Sequence, residues 1–427
     1  MHAYPMSCLR PAPDKAATFA ALPYDVFDRA SAKAYVEAHP KSFLAIDRPE
    51  TAFGPDQDMY APEVYAKAKE LLDERIEDGT LVADGRKCYY LYRLEQAGRS
   101  QTGIVCAAAV VDFVDGTIRR HENTRADKEK DRIDHIVALD AQTGPVFLAY
   151  RDNPVLAIIL NAAMSGRPLY DFTDEYGVRQ TVWRVARQDA VDAIEAMLEQ
   201  IPCAYIADGH HRAASAVKVA LARREEHPNA SSKAPWNLVL SVLFPASELK
   251  ILAYNRVVED TAGLTAYELL AAAKDAGFAA EGPFTEAPEP EERHTFALFV
   301  GGSWYRLSLT LTPEEEQDPV ASLDCSLLQD RFLSPVLHIE DPRRDPRISF
   351  VGGIEGTEAL SKAAGDAGCA FSLFPTSMDE LMRVADAGLL MPPKSTWFEP
   401  KLRSGLFIRP LSGIDPELAM KQEAGEA

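Results

Sequence analysis

The apolar positions of this chain change period several times, and each change marks an element. Residues 203–207, C-A-Y-I-A, form a short apolar run rich in strand formers. Asp208-Gly209 follows as a turn signal, and beyond it Ala213, Ala214, Val217, Ala220 and Leu221 recur at helical spacing. The pattern predicts a strand, a tight turn and a helix, with Asp208, His210, His211 and Arg212 gathered at the helix start. Upstream, helices are predicted over 31–38, with Ser31 as N-cap, and over 62–76, where Pro62 stands in the first turn and Val64, Ala68, Leu71 and Leu72 share one side. Period two sets in at Cys88. Residues 88–94 and 103–113 predict a β-hairpin about a polar turn at 97–101, and Asp115-Gly116 turns into a third strand near 117–120. Residues 183–198 predict a helix and 236–244 a buried strand; 281–292 is acidic, proline-rich and expected to be an exposed connection. Residues 295–300 and 303–310 flank Gly301-Gly302 as a second hairpin. Together these elements predict an α+β fold with mixed, largely antiparallel sheets and flanking helices. A boundary near residue 260 would divide it into 1–260, carrying the strand-turn-helix core, and 261–427.

Composition narrows the classes. At 427 residues and 47% apolar, the chain is long enough for two domains with substantial cores. The N-terminal residues carry no apolar run behind a basic region, and no uninterrupted apolar stretch of about 18 residues occurs. A cytoplasmic, unprocessed protein with no membrane partner is expected. The six cysteines are widely spaced with no C-x-x-C pair, which signals neither a zinc knuckle nor a redox dithiol. With 65 acidic against 45 basic residues, the formal charge of -20 opposes nucleic acid as a partner. An anionic ligand would have to be held by a local cluster of positive groups.

The 208–212 turn offers such a cluster. Cationic side chains at a helix N-terminus oppose its partial positive charge at a cost of a few tenths to about 1 kcal/mol each. An anion seated on the free N–H groups of the first turn would compensate, with Arg212 and the imidazoles as further donors. Asp208 would then be available to hold a metal ion or orient a hydroxyl. The alternative is a plain strand-to-helix turn with neutral, partly exposed histidines. A second charged stretch, R-R-H-E-N-T-R over 119–125 with Lys128, Asp131 and Arg132 beyond, places Glu122 among basic residues as a base or magnesium ligand, or as one member of a solvated ion-pair cluster. Arg125 stands where H-E-x-x-H requires histidine, which excludes that zinc-hydrolase motif. Near the C-terminus, M-P-P-K-S-T-W-F-E-P-K over 391–401 brings Lys394, Ser395, Thr396 and Lys401 together, followed by Arg403. Such a set suits a polyphosphate, or an ordinary surface loop. Neither G-x-x-x-x-G-K-[ST] nor G-x-G-x-x-G occurs, so a P-loop or protein-kinase architecture is not indicated.

Taken jointly, P-Y-D-V at 23–26, S-F-L at 42–44, H-E-N-T with K-E-K-D-R over 121–132, A-D-G-H-H-R at 207–212 and the 391–401 block resemble the signature blocks of a bacterial and archaeal family catalogued as a domain of unknown function. Through D-G-H-H-R that family is similar to the ParB and sulfiredoxin superfamily, which includes free L-serine kinases. The resemblance implies a ParB/sulfiredoxin-like α+β core, and a kinase that makes O-phospho-L-serine with magnesium, the donor being pyrophosphate or ADP/ATP. Combined with the chemistry of phosphoryl transfer, it assigns His210, His211, Arg212 and the helix N-terminus to the transferred group. Lys394, Ser395, Thr396, Lys401 and Arg132 fall to phosphate binding, and Tyr24 and Asp25 to the substrate amine. Glu122 is then the general base and Asp208 the magnesium ligand, two roles that can be exchanged. The chain departs from its relatives at Asn255, where they carry histidine, and over 142–146, Q-T-G-P-V, where they carry N-x-x-P-I. Two rivals remain: a ParB-like nucleotide-binding regulator and a catalytically silent metabolite-binding protein.

Overall fold

The computed structural model describes residues 1–415. The chain forms two compact units, each fed by separated segments. The first comprises Met1–Arg119, Thr124–Glu248 and the segment from Pro400 onward; the second comprises Arg120–Asn123 and Leu249–Glu399.

A ten-stranded mixed sheet organises the first unit. At its centre is the hairpin Leu81–Gln96 with Arg99–Ala109. Its turn is tighter than the pattern suggested: Ala97 and Gly98 alone connect the strands, with φ of 50° and 76°, the positive pair that a two-residue turn needs to match strand twist. The strand also ends sooner than 113. V-V-D-F-V is too short to distinguish a period of two from one of 3.6, and Val110–Val114 is helical, burying Val110 and exposing Val114. Asp112 there accepts the backbone N–H of His2 at 2.5 Å.

Outward from the hairpin, one side of the sheet continues through Leu238–Pro245, Val146–Tyr150, Ala204–Asp208 and Ile118–Arg119, the other through Arg179–Val185 and Tyr170–Thr173. Two of these pairings are parallel, Ile118–Arg119 with Ala204–Asp208 and Val146–Tyr150 with Leu238–Pro245. The helix expected over 183–198 is shorter at its start. Residues to Val185 belong to a strand that pairs Trp183 with Leu91, and helix Gln188–Glu199 begins only after Arg187. T-V-W-R-V alternates, and its β-branched and aromatic residues suit a pleated surface. Helix Pro62–Glu77 lies as expected, burying Val64, Ala68 and Leu72. The helix predicted at 31 begins instead at Arg29. Its cap is Asp28, whose carboxylate accepts the Ser31 N–H at 2.7 Å, so Ser31 lies inside the first turn.

In the second unit, six antiparallel strands run in the order Ala279–Phe284, Ser303–Ser308, Thr295–Val300, Cys369–Leu373, Tyr254–Val258 and Ile348–Gly352. The Gly301-Gly302 hairpin is present, both glycines having positive φ. The exposed connection at 281–292 is interrupted, since Glu281 pairs with Arg306 in an edge strand. The observed architecture is α+β with largely antiparallel sheets. Among the described residues, no helix is long and apolar enough to cross a membrane.

The segment after Pro400 is stitched into the first unit by short antiparallel contacts, Ala21 with Ser404 and Leu9 with Ile408. Gly405 makes this approach feasible. Its φ is +84°, and a Cβ would lie 2.5 Å from Cγ of the fully buried Phe43. Gly405→Ala therefore combines backbone strain with overpacking and is expected to cost about 2 kcal/mol or more. Urea denaturation checks this as a lowered midpoint at unchanged slope; an unchanged midpoint would contradict the packing.

Candidate functional site

The strand Ala204–Asp208 lies between a parallel and an antiparallel neighbour, and its register against Val146–Tyr150 shifts between Ile206 and Asp208. The irregularity falls at the end of the strand, where Gly209 turns the chain with φ +89°. A side chain at Gly209 would be strained, and its Cβ would lie 3.0 Å from Arg212 Nε. Helix His210–Glu226 starts there with no side-chain cap and no acidic residue in its first turn. The first turn thus carries no carboxylate of its own to oppose the positive end of the dipole, and Arg212 adds a further charge. The other end is conventional, with Arg223 and Arg224 in the last turn.

Asp208 gathers the charges around this turn. One carboxylate oxygen accepts the Gly209 N–H at 2.8 Å, and the other meets Lys401 Nζ at 3.2 Å and Arg212 Nη2 at 3.7 Å. Burial pushes the Asp208 pKa up, but the charges of Lys401 and Arg212 with these hydrogen bonds outweigh it, holding the carboxyl well below the usual range. Arg212 is fixed by donating from Nη1 to the Pro145 carbonyl at 2.5 Å and by packing along Gly144, where a Cβ would meet its Cδ at 3.3 Å. The Q-T-G-P-V segment therefore seats the motif arginine. His211 accepts the Arg125 backbone N–H on Nε2 at 3.0 Å, and burial lowers its pKa. It is a neutral imidazole with its proton on Nδ1. His210 is buried.

A small cleft, partly open to solvent and lined by Tyr24, Asp47, Arg132, Thr143 and Arg212, lies in the same unit. Arg132, from helix Ala126–Leu139, enters it with its guanidinium 4.0 Å from the centre of the Tyr24 ring, held by Asp47 at 3.1 Å and Asp131 at 2.9 Å. Burial would lower the Arg132 pKa, but Asp131, Tyr24 and Asp47 more than reverse this, and the group stays charged. Burial raises the Tyr24 pKa against the opposing pull of Arg132, so the phenol stays protonated. Asp25 is exposed in the same turn. Sequence reasoning missed Asp47 and Arg48. Arg48 donates to the carbonyls of Tyr24 and Phe27 at 3.1 and 2.5 Å and so shapes the P-Y-D-V turn. Their signal was position alone, just downstream of S-F-L.

The remaining candidates belong to the second unit. Glu122 is half-buried. Lys394 has φ of 60° and carries its ammonium 5.3 Å from the Tyr254 ring. The Ser395 hydroxyl donates to the Pro392 carbonyl at 2.6 Å and lies 3.1 Å from Cys325 Sγ, so it braces the loop; Thr396 is half-buried beside it. Asn255 is buried, and its side chain accepts the Leu373 N–H at 3.1 Å, which ties two neighbouring strands together.

The sequence matches a family model described as "Protein of unknown function (DUF1015)" over residues 3–326. The chain belongs to that family. No curated protein matches it. Among solved structures, SbnI with C-terminal truncation from Staphylococcus aureus aligns at 12% identity and a TM-score of 0.36, covering 75% of this chain and 94% of that one. A free serine kinase in complex with AMP aligns at 15% identity and 0.34, covering 69% and 86%. A conserved hypothetical protein from Pyrococcus furiosus aligns at 13% identity and 0.35, covering 73% and 97%.

The Asp208 pairing has a pH signature. Its folded pKa lies below the unfolded value of about 3.9, so the stability it contributes is present above that value and is lost as pH falls through the folded pKa. Asp208→Asn is expected to reduce unfolding free energy by about 1 to 3 kcal/mol at neutral pH. In denaturant titrations the difference from wild type should narrow as pH falls below about 4. A difference that stays constant into acid would contradict the assigned pairing.

Proposed function

We propose that this protein is a phosphotransferase that moves a phosphoryl group onto the hydroxyl of free L-serine, using pyrophosphate or a nucleotide as donor. The observation that carries the reading is the uncapped start of helix His210–Glu226, where the helix dipole, Arg212 and Lys401 together outnumber the single Asp208 carboxylate. A phosphate is the ligand this environment would stabilise best, because it accepts several backbone and guanidinium hydrogen bonds at once. Serine as acceptor rests on the resemblance of the D-G-H-H-R and accompanying blocks to free serine kinases.

In the proposed reaction the serine Oγ attacks phosphorus in line. A new Oγ–P bond forms as the bond from phosphorus to the bridging oxygen breaks, and inorganic phosphate or the shortened nucleotide departs. The hydroxyl proton passes to the Glu122 carboxylate. Arg212 and the first-turn N–H groups stabilise charge on the transferred group, and His211, being neutral, can donate from Nδ1 without adding a fixed charge. Lys394, Thr396 and Lys401 are assigned to the distal phosphate, with Ser395 shaping their loop. Asp208, whose carboxylate is paired with Lys401, is the residue that would hold magnesium. When bound, magnesium would supply charge neutralisation on the donor phosphates.

Phosphorus NMR of the purified protein with magnesium, L-serine and each donor in turn tests the reading. A phosphomonoester signal that requires serine is expected with at least one of pyrophosphate, ADP or ATP. Arg212→Ala and Glu122→Gln should each reduce kcat by about 100-fold or more while the circular dichroism spectrum is retained. Undiminished turnover in both variants would remove the assigned roles, and no product with any donor would refute the function.

A further inference from the structure

We infer that the cleft beside Arg212 is a receptor for an α-amino acid zwitterion, with Arg132 binding its carboxylate and Asp47 its ammonium group. This rests on the phosphotransferase reading for its purpose but not for its geometry. It moves Arg132 from phosphate binding to acceptor recognition.

Charges of both signs line the cleft within a few ångströms. Arg132 and Asp47 are both buried and meet at 3.1 Å, while Arg212, which also contacts Asp208, supplies a second guanidinium on the cleft wall. Asp47 uses Oδ1 toward Arg132, and among the described residues no hydrogen bond is donated to its Oδ2. The hydroxyls of Tyr24 and Thr143, both on the cleft wall, have no hydrogen-bond partner among the described residues. Both hydroxyls are reached by solvent, so a ligand in the cleft can take the place of water as their partner.

The mixture of charges selects the ligand. A simple anion drawn to the two arginines would meet the Asp47 carboxylate, and a simple cation drawn to Asp47 would meet two guanidiniums. A molecule carrying a carboxylate and an ammonium on one carbon satisfies both, with the Tyr24 and Thr143 hydroxyls free to bond the carboxylate oxygens. Stacking on Tyr24 and the Asp131 contact hold the Arg132 plane fixed; with Nε and Nη2 engaged by Asp131 and Nη1 by Asp47, a ligand carboxylate would take the second protons of Nη1 and Nη2. Because Arg212 contacts Asp208 and also lines the cleft, a side chain on the ligand's α-carbon can point from this pocket toward the turn assigned to phosphate.

Isothermal titration calorimetry without donor tests the pocket on the intact wild-type chain. L-Serine and L-alanine should bind with similar affinity, whereas 3-hydroxypropionate, lacking the ammonium, and ethanolamine, lacking the carboxylate, should each bind at least about tenfold more weakly. Asp47→Asn should weaken L-serine by about tenfold or more and leave 3-hydroxypropionate unchanged, a charge-specific pattern that general misfolding would not produce. Equal affinities across the series, no amino acid binding at millimolar concentration, or an Asp47→Asn variant with wild-type affinity for serine would overturn the inference. Phosphoserine formation alongside a flat series would leave the transfer reading intact and remove the pocket. The predicted series without product from any donor would leave the pocket and remove the kinase.

Discussion

The contact on which the proposed site depends joins residues nearly two hundred positions apart: the Asp208 carboxylate, the Lys401 ammonium and the Arg212 guanidinium at the opening of one helix. An uncapped helix start with an arginine in its first turn is electrostatically unfavourable unless negative charge is brought to it. Asp208 supplies part of that charge from the strand side. Its low pKa records how strongly the surrounding positive groups hold a negative oxygen, and a phosphate oxygen in the same field would be stabilised in the same way.

Much of the first unit's local structure serves to place these groups. The sheet fixes the end of Ala204–Asp208, and positive φ at Gly209 lets the helix begin without a linker. Gly144 and the Pro145 carbonyl pin Arg212, so that it meets a ligand with little side-chain entropy left to lose. Gly405, flat against Phe43, lets the C-terminal segment run close enough for Lys401 to arrive. The same packing places S-F-L and its neighbour Asp47 near Arg132. P-Y-D-V, S-F-L, K-E-K-D-R and D-G-H-H-R thus meet within the first unit, and their co-occurrence has a physical reason in shared contacts.

What was legible in the sequence follows from how local each signal is. The strand, turn and helix around Asp208 were readable because period, glycine and polar cluster change together within a few residues. Short stretches misled where either period fitted, as in V-V-D-F-V, or where a strand ran into a helix without a breaker, as at Val185. Ser31 was mistaken for the cap because Asp28, three residues earlier, satisfies the same requirement. The Lys401–Asp208 pairing and the Asp47–Arg132 contact left no trace in spacing, since both are made by tertiary folding. The structure also gives Asn255 a bonding role, toward the Leu373 N–H, that the comparison of motifs had only flagged as a departure.

The central claim is that the start of the 210–226 helix, with Arg212, is an anion seat. Calorimetric titration of inorganic pyrophosphate into the wild type and into Arg212→Ala addresses it most directly, without requiring turnover. The account predicts saturable binding to the wild type and affinity at least about tenfold weaker in the variant, as expected for loss of a charge-assisted hydrogen-bonding group. Equal affinity in the two proteins, or no binding to the wild type, would contradict it.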